Sequence, residues 1–153
     1  MNLYEKLLII SEEHNIIIDR SITLPGVDGA FIQIEGVQPV IYLAPDLSGY
    51  SLNAIFAEEL GHFFSSYGNF CVNKTLKNDM DSLRCESRAF RYAVDLVMNW
   101  FTVWRLLKVQ KLDLYDLSEH FEVPVSFITD ALKVFKIRYV YPLVETRKEM
   151  LNG

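Results

Sequence analysis

The run Ala57-Glu58-Glu59-Leu60-Gly61-His62 sets two carboxylates and an imidazole within five positions, a combination able to bind a metal or move a proton. On a helix, Glu58 and His62 project from one face about a turn apart, with Glu59 at its margin. A carboxylate and an imidazole at i and i+4, with a second carboxylate between them, have the spacing of a zincin helix. There H-E-x-x-H puts two histidines on the metal and uses the glutamate as general base. Here Glu58 stands where the first histidine would fall. A merely solvated Glu–His pair has the same spacing, so the surroundings must decide. Ile55, Phe56, Leu60 and Phe63 recur as one apolar helix face. Charges on such a segment are costly unless they are paired or metal-bound. Gly61 costs a helix interior about 1 kcal/mol relative to Ala, and close approach of another backbone is one physical reason to accept that cost.

A catalytic zinc needs three protein ligands and an open position. The best third candidate is Glu86, with Ala89 and Ala93 following it at helical spacing. Small residues there would let a second helix pack closely on the first. The competing reading is a solvated glutamate near a helix N-terminus, where negative charge is mildly stabilised. Glu58, His62 and Glu86 together offer one nitrogen and two oxygen ligands. Zinc accepts that set, and its hardness also admits manganese or iron.

The elements that must position these residues follow from hydrophobic periodicity and turn signals. The pattern predicts a helix over Leu3–Glu13 and a short strand over residues 16–18, followed by turns at Pro25-Gly26 and Asp28-Gly29. A strand over 30–35, a hairpin at 36–39 and a strand over Val40–Leu43 give a small antiparallel sheet. The helix of residues 52–64 follows, with Asp46, Ser48 and Ser51 as alternative N-caps and a stop near Gly68. Residues 72–82 read as a loop and 83–108 as a long helix. A helix pair at 112–121 and Val125–Phe135 is joined by Glu122-Val123-Pro124, and residues 140–144 read as an extended apolar stretch. His14 and His120 read as capping or surface residues, Cys71 and Cys85 as packing residues. The fold class is α+β, with 1–108 as the main domain and 109–153 as a helical extension packed on it.

The chain has 153 residues, half of them hydrophobic and 13% aromatic, which suits a sizeable core and opposes disorder. Its 15 basic and 20 acidic residues give a net charge of −5, which opposes a general nucleic-acid binder. Two cysteines make no disulfide framework in a chain this long and suggest a reducing compartment. The N-terminal apolar run is too short for a signal peptide. The apolar tract of residues 92–109 is interrupted by Asp95, Asn99 and Arg105, which favours a buried helix over a membrane span. A soluble cytoplasmic protein with no membrane partner is expected.

The chain resembles the ImmA/IrrE family of metallo-endopeptidases, in the phage and mobile-element form with E-E-L-G-H in place of H-E-x-x-H. The resemblance rests on residues 3–8, on Ala57-Glu58-Glu59-Leu60-Gly61-His62 with Gly68-Asn69, and on Glu86-Ser87-Arg88-Ala89-Phe90-Arg91-Tyr92-Ala93, similar to an E-x-x-A-x-x-(aromatic)-A element. The tail run Leu117-Ser118-Glu119-His120-Phe121-Glu122-Val123-Pro124 resembles the family's C-terminal helix pair. The match touches most of the chain. It implies a zincin-like fold, mostly helical with a small sheet beside the active helix. It implies zinc on Glu58, His62 and Glu86 with Glu59 as general base, and a helix-turn-helix transcriptional repressor as substrate. Two other readings compete. In one, a metal-free protein of the same fold binds the repressor without cutting it. In the other, the tail helix pair is a DNA-binding helix-turn-helix, although its second helix lacks an Arg or Asn cluster at the N-terminal end for base contacts.

Overall fold

Helix α1 (Leu3–Glu13) has the predicted bounds. In the computed structural model, residues 1–66 and 79–152 are described, 79–82 by their backbone alone. Asn2 and Glu5 close a capping box at the start of α1. The Glu5 amide donates to Asn2 Oδ1 at 2.8 Å, and the Asn2 amide to a Glu5 carboxylate oxygen at 3.0 Å. His14 ends the helix, its Nδ1 2.9 Å from the Ile10 carbonyl oxygen and its ring edge-on to Phe63 and Phe64. The capping role expected of His14 is the one it has.

Strands β1 (Ile17–Asp19), β2 (Gly29–Ile32) and β3 (Val40–Leu43) form a sheet of order β1-β3-β2. β2 is antiparallel to β3, with Phe31 opposite Ile41, whereas β1 is parallel to β3, with Ile18 opposite Ile41. The sheet is therefore mixed, not antiparallel as expected. Alternation identifies strands but carries no direction, and β1 reaches β3 from the far side rather than through a hairpin. β3 is central because it is apolar throughout, with Ile41, Tyr42 and Leu43 buried. β1 and β2 are the edges. β2 is shorter than the predicted strand because residues 34–37 turn, the Val37 amide donating to the Ile34 carbonyl at 3.0 Å beside Gly36 at φ +77°.

Helix α2 (Gly49–Ser65) begins after Ser48, one of the three N-cap candidates. It buries Leu52, Phe56, Ala57, Leu60 and Gly61. Helix α3 (Asp79–Val97) packs along it. Residues 79–82 are helical, whereas the sequence placed them in a loop. The rest of that loop, the Gly68 stop and Cys71 lie outside the described residues.

The predicted long helix over 83–108 is broken at Met98–Asn99. Asn99 Oδ1 accepts from the Phe101 and Thr102 amides at 2.9 and 3.3 Å and starts a new helix, α4 (Trp100–Trp104), which runs on as a π turn over Arg105–Val109. In the tail, α5 (Leu114–Phe121) starts from a capping box of Asp113 and Asp116. Glu122 turns the chain at φ 59°, and α6 (Val125–Phe135) has the predicted bounds. Residues 140–144 are not extended. A π turn at Lys136–Val140 leads into α7 (Tyr141–Asn152), with Pro142 in its first turn, where a missing N–H costs least.

One hydrophobic cluster joins Leu7, Ile41, Phe56, Leu60, Ala93, Val94 and Val103 to Leu117, Val123, Ile128 and Phe135. Residues of 1–108 and of 109–153 thus share one core. Polar contacts reinforce the join. Asn53 Nδ2 donates to the Glu122 carbonyl at 2.8 Å, and the Leu3 amide to a Glu122 carboxylate oxygen at 2.9 Å. Among the described residues no helix is long and apolar enough to cross a membrane.

Candidate functional site

Gly61 sets the geometry of the site. A Cβ at this position would collide with the Ala89 carbonyl oxygen and stand 3.2 Å from the Ala93 amide nitrogen. α2 and α3 therefore touch backbone to backbone, as the glycine and the two alanines predict. The helices approach closely enough for a short side-chain contact one residue further on. His62 Nε2 lies 3.2 Å from Glu86 Oε2, with the imidazole 14% exposed and the carboxylate 47% exposed. Glu86 lies well inside α3 rather than at its start.

Glu58 sits a turn before His62 and is half-buried. Its carboxyl is pushed up to about 7, first by burial, then by the negative charges of Glu59 and Glu86. His62 pulls the other way, and Asp130 adds a smaller upward push. Asp130 belongs to α6, so the tail contributes charge to the site. No local pattern marks Asp130, which is brought near by the packing of α6 beside α3.

Glu59 lies against the start of β2. A Cβ on Gly29 would stand 2.5 Å from Ile55 Cγ2, 3.2 Å from Glu59 Cγ and 3.3 Å from Glu59 Oε1. Gly29 thus lets the edge strand rest on α2 with the Glu59 side chain between them. In the sequence Asp28-Gly29 reads as a turn marker; in the structure Gly29 pairs with Leu43 as the first residue of β2. The signal was present, but its meaning was close approach rather than a turn.

The structure thus brings Glu58, Glu59, His62 and Glu86 into one neighbourhood. Among the described residues, however, no group of three or more His, Cys, Asp or Glu side chains is arranged to hold a metal ion. The chemistry of the donors fits a divalent cation better than their convergence does. One imidazole nitrogen and several carboxylates stand together at an electrostatic cost that a cation would relieve. His120 is exposed and packs edge-on to Phe121. Cys85, expected as a packing residue, is disulfide-bonded, which also runs against the expectation of two reduced thiols.

Compared with family models, curated proteins and solved structures, the chain matches none.

Proposed function

We propose that the chain is a metal-dependent endopeptidase that cleaves a helix-turn-helix transcriptional repressor and so regulates a mobile element or stress genes. The observation that carries this reading is the His62–Glu86 contact across two helices, with Glu58 and Glu59 beside it. The substrate class comes from the resemblance to the ImmA/IrrE family. Glu58, His62 and Glu86 are the residues that would hold zinc, with manganese or iron also chemically admissible. When bound, the metal supplies Lewis-acid polarisation. Glu59 accepts a proton from the attacking water as its oxygen adds to the scissile carbonyl carbon, and returns the proton to the departing amine nitrogen. β2, next to Glu59, is an edge of the sheet among the described residues, and an extended substrate segment can add there as a further strand.

A metal-free repressor-binding protein is the second reading, favoured by Glu58 standing where a zincin helix carries its first histidine. DNA binding through the tail is disfavoured by Asp130, exposed on the would-be recognition helix and repelling Glu58. The experiment is incubation of the zinc-supplemented protein with helix-turn-helix repressors, comparing wild type with Glu59→Gln. Cleavage lost in the variant while binding persists supports the enzyme. Equal binding by both, with no cleavage, supports the binder.

A further inference from the structure

Arg84, Arg88 and Arg91 stand at i, i+4 and i+7 of α3 and form one face. The opposite face, with Ala89, Ala93, Val94 and Val97, is buried in the protein. Arg84 and Arg91 are exposed and Arg88 is half-buried. With Leu83 and Ser87 they line an open groove of about 420 Å³. Among the described residues, no carboxylate forms an ion pair with any of the three. Among the described residues, the one hydrogen bond their side chains make is from Arg91 Nε to the Ser87 carbonyl, at 3.4 Å. Asp95, the next residue along the stripe, is held by Arg138 at 2.7 Å.

A helix face that serves only solubility alternates charge, because like charges three or four residues apart repel. This face keeps three like charges together in a chain whose net charge is −5. All three are arginines, whose planar forks bind carboxylates in a bidentate manner. From Arg84 to Arg91 the axial rise is about 10 Å, matching carboxylates at i, i+4 and i+7 of a partner helix.

From this we infer that the Arg84–Arg88–Arg91 face of α3 docks an acidic segment of a protein partner. Charge complementarity selects the occupant. A short acidic peptide touches the stripe alone, whereas a nucleic acid would also run its phosphates past the rest of a chain whose net charge is −5. The inference goes beyond the proteolytic reading and stands without it, since its test reads binding and not cleavage.

The test is fluorescence anisotropy of the full chain with a fluorescein-labelled Glu/Ala peptide at low salt. A Lys/Ala peptide and duplex DNA are run alongside. The acidic peptide is expected to bind saturably and to weaken as salt rises. The triple variant R84Q/R88Q/R91Q is expected to bind it about tenfold or more weakly. Amide exchange on the wild type, with and without peptide, keeps the test decisive should the variant misfold, since added protection must map to residues 84–91. No saturable binding, binding unchanged by the triple substitution, equal binding of the Lys/Ala peptide, or protection confined elsewhere each overturns the inference. Tighter binding of duplex DNA through the same arginines overturns the peptide as occupant.

Discussion

Gly61 of α2 meets the Ala89 carbonyl oxygen of α3 with no room for a Cβ, and one residue later His62 Nε2 lies 3.2 Å from Glu86 Oε2. The close approach and the site are one feature. Removing the first should undo the second.

Gly61→Ala tests this directly. Helix propensity favours alanine by about 1 kcal/mol, but the new Cβ collides with backbone, which cannot rotate away. Overpacking typically costs about 1–3 kcal/mol beyond such gains. Net destabilisation is expected in denaturant titration, with a widened His62–Glu86 separation visible as altered His62 imidazole NMR shifts. A neutral or stabilising Gly61→Ala would show that the helices do not approach as described.

Glu58 predicts a pH dependence. In the unfolded chain it loses its proton near its ordinary value of 4.5, and in the folded chain near 7. Between these values the folded state holds the extra proton, so stability present below 4.5 is lost as pH rises through about 7. One unit corresponds to about 1.4 kcal/mol, and partial exposure reduces the total to on the order of 2 kcal/mol. Chelator-treated protein should lose this stability between about pH 5 and about pH 8, and Glu58→Gln should flatten the profile. Parallel profiles for wild type and variant would refute the assignment.

Gly29 predicts a coupling between sheet and helix. Gly29→Ala places a Cβ against Ile55 Cγ2 and the Glu59 side chain, a loss of about 1–3 kcal/mol by overpacking. Ile55→Ala in the same chain removes the nearest obstructing atom, so the two losses should be less than additive in a double-mutant cycle. Additive losses would mean that β2 does not rest on α2 at this point.

The tail predicts a shared unfolding transition. Asn53→Ala removes the donor to the Glu122 carbonyl, at about 1–3 kcal/mol for a polar group left unpaired. A chain ending at residue 108 loses Leu117, Val123, Ile128 and Phe135 from the common cluster. It should bind hydrophobic dye and melt without a sharp transition. A cooperative melt of the truncated chain would make the tail separable.

Much of this was legible in local pattern. α1, β3 and α6 have the expected bounds, because capping residues, β-branched runs and proline act over a few residues. Gly61 and the two alanines gave away the α2–α3 contact. The direction of β1 was not legible, since strand periodicity is blind to direction. Nor was the break at Asn99, where apolar periodicity runs on across a residue that caps a new helix. Asp130 belongs to the site by tertiary packing, which leaves no spacing to read, and Gly29 is marked in the sequence only as a turn residue.

Elemental analysis of the purified protein, compared with His62→Ala and Glu86→Gln, decides whether these residues hold a metal. About one equivalent of zinc, manganese or iron is expected in the wild type and its loss in both variants, with folding retained by circular dichroism. Absence of metal from the wild type after incubation with each ion, or retention of metal by both variants, would contradict a metal centre built on the His62–Glu86 contact.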